Sequence, residues 1–131
     1  MSPLVSTKTV IEHLRELQQV CWQIAEDKGF HEPPDHIKEL GELACDAYLV
    51  SNKPEKIALI HSEISEALEG LRHGNPPDDK VPDYSSCEAE LADAWIRIMD
   101  FAEEYGMDVI GATMAKISYN KTREYKHGKE F

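Results

Sequence analysis

Apolar residues recur along this chain at spacings of three and four. Val10, Ile11, Leu14, Leu17, Cys21, Ile24 and Ala25 fall on one stripe of a first helix. Ser6 or Thr7 is expected to cap its start, and Gly29 to stop it. Pro33-Pro34-Asp35 opens a second helix with Asp35 as its N-cap; its buried stripe would be Ile37, Leu40, Ala44, Ala47 and Tyr48, with Gly41 tolerated inside. Ser51-Asn52-Lys53-Pro54 breaks the pattern, and Pro54 suits the first turn of a third helix running to about Arg72. Gly74-Asn75-Pro76-Pro77-Asp78-Asp79 cannot be helical, so a loop reaches to about Tyr84. Ser85 and Glu88 then form a capping box ahead of a fourth helix carrying Leu91, Ala94, Trp95, Ile98 and Phe101, which ends near Gly106. Asp108 can cap a fifth, on which Val109, Ile110, Met114 and Ile117 are apolar. No alternating Val/Ile/Thr stretch competes as a strand. The expected fold class is all-α, a four- to five-helix bundle with one core in a single domain spanning 1–131.

Composition narrows what such a bundle can do. The chain has 131 residues, of which 41% are hydrophobic and 30% charged, enough for a real core. Its formal net charge is −11, which weighs against nucleic acid or an anionic membrane as a partner, since both select a Lys/Arg surplus. The longest apolar run, Ile57-Ala58-Leu59-Ile60, is far short of a membrane span, and the N-terminus lacks the basic and apolar regions of a secretory signal. Cys21, Cys45 and Cys87 are odd in number and widely spaced, as expected of reduced, buried thiols. These features predict a soluble, cytoplasmic protein.

The candidate chemistry lies on the third and fourth helices. Glu63 and Glu66 are three apart, hence on one helical face, and Glu90 and Asp93 repeat the arrangement on the next helix. In an antiparallel hairpin, a rise of ~1.5 Å per residue puts Glu66 and Glu90 roughly 10 and 7 Å from the same end. Glu63 and Asp93 would form a layer one turn deeper. Four converging carboxylates repel one another unless cations intervene, and hard divalent ions such as Mg²⁺ or Mn²⁺ suit an all-oxygen site. Solvated acidic faces are the competing reading, which Ile60, Ile64, Leu68, Leu91, Ala94 and Ile98 weaken by flanking both pairs. A di-iron carboxylate bundle would want Glu-x-x-His on two helices; here that spacing occurs at Glu124 and His127, in the terminal segment.

Charge is unevenly spread. Residues 116–131 contain Lys116, Lys121, Arg123, Lys126 and Lys129 against Glu124 and Glu130, a net +3 on an otherwise acidic body. Such an end can grip an anion beside a metal site, or can simply place cations at a helix C-terminus.

Together these blocks resemble the all-α nucleoside triphosphate pyrophosphohydrolases, and among them the short MazG-like proteins. Glu63-x-x-Glu66, 23 residues and Glu90-x-x-Asp93 match the E-x-x-E…E-x-x-D signature. The runs His61–Glu69 and Glu90–Asp100 resemble the two metal helices, and Lys116-x-x-x-Asn120-x-x-Arg123-x-x-x-His127-Gly128 resembles the terminal substrate-facing segment. The resemblance implies hydrolysis of a nucleoside or deoxynucleoside triphosphate to the monophosphate and pyrophosphate, with Mg²⁺ or Mn²⁺ held by Glu63, Glu66, Glu90 and Asp93. Glu63 or Glu66 would take the proton of the attacking water, and Lys116, Asn120, Lys121 and Arg123 would hold the β- and γ-phosphates. Gln18 and Trp22 lie where related enzymes meet the nucleobase, although Trp22 is equally an ordinary core residue. His61, Ser62 and Glu69 are open to either role, and Arg97 with Asp100, one turn apart, suggest a structural ion pair. A homodimer or homotetramer is expected. Two rivals are a (p)ppGpp or modified-nucleotide hydrolase on the same scaffold, and a non-catalytic helical interaction protein.

Overall fold

A computed structural model describes residues 3–130, with side chains from Val10 onward. It is all-α, with six helices among the described residues: α1 (Pro3–Asp27), α2 (Asp35–Lys38), α3 (Glu42–Ser51), α4 (Lys53–Arg72), α5 (Ser86–Glu104) and α6 (Val109–Lys121). A short 3₁₀ turn, Tyr125–Gly128, follows. No described helix is long and apolar enough to cross a membrane.

The first helix begins at Pro3, a residue whose fixed φ suits a first helical position. Ser6 and Thr7 therefore lie inside the helix and are not its cap. Its far end closes as expected on Gly29, which takes φ +80°. The Gly29 amide donates to the Glu26 carbonyl and the Phe30 amide to that of Ala25, the paired bonds of a Schellman ending.

Where one second helix is expected, there are two. Gly41 adopts φ +98°, a conformation closed to most side chains, and the chain turns there between α2 and α3. Asp35 is the first residue of α2 and makes no side-chain cap bond. The break also undoes the expected stripe. No residue of α2 or α3 is buried; Leu40 and Ala47 are exposed, and Ile37, Ala44 and Tyr48 are half-buried.

The body is built from α1, α4 and α5, with α6 laid against α1. Its buried apolar residues are Cys21, Ala67, Ala94, Met99, Ala102 and Ile110. Five lie on these three helices, and Ile110 comes from α6. The expected caps of the last two helices form. Ser85 accepts from the Glu88 amide while Glu88 accepts from that of Ser85, and Asp108 accepts from the Gly111 amide at 2.9 Å. Asn75, in the loop between α4 and α5, takes φ +50° and its side chain accepts from the Cys87 amide at 2.9 Å, fastening the loop to the start of α5.

Candidate metal centre

Two small residues set how closely the acidic helices approach. Gly70 on α4 is buried, and a Cβ added there would come within 2.8 Å of the Ser86 hydroxyl on α5. From this point the helices run antiparallel, so the positions one and two turns away face each other. Glu63, Glu90 and Asp93 each place a carboxylate oxygen so that all three atoms lie within 4.8 Å of one another. Glu63 is buried, Glu90 half-buried and Asp93 exposed, so the group lines a rim and not a sealed core. Glu66 is exposed and stands outside the trio, but shares hydrogen bonding with Glu90.

The electrostatics follow from this crowding. Burial, hydrogen bonds to Glu66 and Glu63, and the charges of those neighbours push Glu90 up to about 7. Burial and the Glu63 charge also raise Asp93; Lys80 and Arg97 oppose this, and Asp78 adds to it. A proton held among like charges lowers the same repulsion that a divalent cation would. The donor set, carboxylate oxygens with a buried edge and an open side, fits a hard cation; nothing in it selects Mg²⁺ over another such ion.

The carboxylates open onto a cleft of ≈ 580 Å³. Lys56, Lys80 and Arg97 also line it, and Ile24, Phe30, Leu59 and Phe101 supply apolar wall. Arg97 donates its Nε–H to Glu63 Oε1 at 2.6 Å. It does not pair with Asp100, which instead meets His31 Nε2 at 2.6 Å. Arg97 is four residues after Asp93 and seven after Glu90, so a strict reading of helical faces would have put it on the carboxylate face. Lys80 gives no comparable signal. Its position depends on Asp78, whose carboxylate accepts the Lys80 and Val81 amides, both at 2.9 Å, and is held below the usual range by those bonds.

The other expected site residues are not among those that line this cleft. Gln18 is buried and donates to Glu103 at 2.8 Å; Trp22 donates its indole N–H to Glu104 at 2.6 Å. Neither contributes to the cleft wall. Lys116, Asn120, Lys121 and Arg123 are exposed on or just after α6, which packs on α1, and none of them lines the cleft that holds the acids. The helix ends at Lys121, so Arg123 does not share a helical face with Asn120. Lys116 and Arg123 instead stand over the Tyr119 ring. Glu69 pairs with Arg72 at the surface, and the exposed Ser62 hydroxyl bonds the Leu59 carbonyl. The three cysteines are free, with Cys21 buried as expected and the other two half-buried.

Comparison of the chain with protein-family models, with curated proteins and with solved structures finds no match to any of them.

Proposed function

We propose that this protein is a divalent-metal-dependent hydrolase that cleaves a nucleoside or deoxynucleoside triphosphate to the monophosphate and pyrophosphate. The observation that carries the reading is the meeting of the Glu63/Glu66 and Glu90/Asp93 pairs at the mouth of one cleft, where Glu90 holds a proton to about 7. Glu63, Glu90 and Asp93 would hold the ion, Mg²⁺ or Mn²⁺. When bound, such an ion neutralises phosphate charge and acidifies a coordinated water. Arg97 fixes the Glu63 carboxylate through its Nε bond. Glu66 is exposed beside Glu90, and is the carboxylate left to accept the proton of the attacking water. Lys80 and Lys56, on the cleft wall, take the role of neutralising the triphosphate tail, which the sequence assigned to the terminal basic segment.

The reading includes assembly as a homodimer or homotetramer. Support comes from the thin core of one chain: among the described residues no large side chain is fully buried, while Trp95 is 54% and Leu68 50% exposed. The test is a screen of the eight common nucleoside and deoxynucleoside triphosphates, with guanosine tetraphosphate and oxidised nucleotides alongside. Mg²⁺-dependent release of pyrophosphate from a triphosphate, abolished by chelator, is the expected result. Turnover confined to the tetraphosphate or an oxidised nucleotide would favour the rival hydrolases, and no turnover would leave the interaction protein.

A further inference from the structure

We propose that His31 is a protonated clamp that ties the turn after α1 to α5, and that loss of its proton frees that turn and the cleft wall it carries. His31 is 8% exposed. Its Nδ1 lies 2.6 Å from Glu26 Oε2 on α1 and its Nε2 lies 2.6 Å from Asp100 Oδ1 on α5. A third carboxylate, Glu104, stands 3.5 Å from Nδ1. A neutral imidazole carries one N–H, so it would leave a ring lone pair facing a carboxylate oxygen at one of the two short contacts. With both carboxylates ionised, both contacts are attractive only when both nitrogens donate, which is the imidazolium.

The surrounding charges require the same state. Glu26, Asp100 and Glu104 have no Lys or Arg ion-pair partner among the described residues; His31 is the cation they share. The nearest other positive charges are on α4, where Lys53 and Lys56 stand over the Tyr105 ring at 4.7 and 5.5 Å and make no ion pair with the three acids. The Cys21 thiol on α1 and the Tyr105 phenol on α5 feel the same acids, and both are pushed up by burial and by that charge. The Trp22 ring stacks on the imidazole with centroids 5.3 Å apart, and its indole N–H bonds Glu104. Burial of the imidazole pushes it down, but the bonds to Glu26 and Asp100 and the charges of Asp100 and Glu104 outweigh that and leave it above the ordinary 6.5.

The clamp sits where it can act on the cleft. Phe30, between Gly29 and His31, lies on the cleft wall and is 75% exposed, so little other than its neighbours in the chain fixes it. Asp100 lines the same cleft. Because the native state holds this proton more tightly than the unfolded chain, the clamp's contribution is full below pH 6.5 and fades as pH rises through the native value. The device acts on the wall whatever the cleft binds, and its readouts use neither metal nor nucleotide.

The test uses the full chain with Trp95→Phe, which leaves Trp22 as its single tryptophan. Ring ¹⁵N shifts of His31, Trp22 emission and amide exchange of residues 29–31 are followed from about pH 5 to about pH 9. We expect both ring nitrogens protonated at the acid end of this range and a His31 midpoint above 6.5. Trp22 emission, quenched by the imidazolium, should rise with that midpoint, and turn amides should exchange faster beyond base-catalysed acceleration, as judged by amides elsewhere in α1. Asp100→Asn should lower the His31 midpoint by about one unit or more. A midpoint at or below 6.5, or turn amides whose relative protection is unchanged across the titration, would overturn the proposal.

Discussion

Glu90 illustrates what a single residue does in this cluster. Its carboxyl is raised from 4.5 to about 7, so the native state binds a proton that the unfolded chain has lost. The stabilisation is present below 4.5 and is lost as pH rises through about 7, because more protons are bound in the native state across that window. Glu90→Gln keeps an uncharged side chain at every pH. In the metal-free protein the variant should exceed the parent in stability by about 1 kcal/mol at pH 8, a figure kept small because the cluster is part-exposed. Urea melts should show the gap closing near pH 4.5, and a constant gap would mean that Glu90 does not hold the proton. At this scale the sequence was legible for the meeting of Glu63, Glu90 and Asp93, with Glu66 beside them, and not for the specific partners that neighbouring side chains take. Arg97 meets Glu63 because two helices face each other, and His31 meets Asp100 across 69 positions of sequence. Gln18 and Trp22 lie on α1 as expected, but their polar ends are engaged by Glu103 and Glu104, neighbours that no local pattern in α1 reveals.

Elements were legible where the deciding signal was local. The Ser85–Glu88 capping box, the Gly29 ending and the Asp108 cap each depend on residues within a few positions, and all three form. Gly41 was harder, because a glycine within an apolar stripe can be absorbed by a helix at a cost of about 1 kcal/mol or can end it, and only tertiary packing chooses. Gly70 is the opposite case, a helical glycine needed for its lack of a side chain. Gly70→Ala gains about 1 kcal/mol in helix propensity, yet drives a Cβ to within 2.8 Å of Ser86 Oγ and 3.2 Å of its Cβ. Overpacking of this kind costs about 1–3 kcal/mol, so the variant should be less stable by up to about 2 kcal/mol. Thermal unfolding checks this, and adding Ser86→Ala should recover part of the loss. A more stable Gly70→Ala would show that the helices can separate there without cost.

For the whole molecule, the arrangement of apolar and charged surface matters more than any one contact. Ile64, Leu68, Leu91 and Trp95 all remain about half exposed on the helices that build the site, and the buried apolar set includes three alanines. On the proposed reading a second copy covers part of that surface. Sedimentation at about micromolar concentration should give a dimer or tetramer, and Trp95→Glu should shift it toward monomer; a monomeric parent would contradict this. The basic end belongs to the same scale. Its charge was plain in the sequence, but its destination was not, since α6 packs on α1 and none of its basic residues lines the cleft that holds the acids. The central claim is that the facing carboxylates form a metal centre, and calorimetric titration of Mn²⁺ in buffers of different ionisation heat tests it most directly. Metal must displace the proton that Glu90 holds to about 7, so binding should release about one proton at pH 6 and much less at pH 8. Asp93→Asn should weaken or abolish the binding while leaving the helical circular dichroism unchanged. Absence of Mn²⁺ binding at millimolar concentration, or equal binding by the parent and Asp93→Asn, would contradict the account.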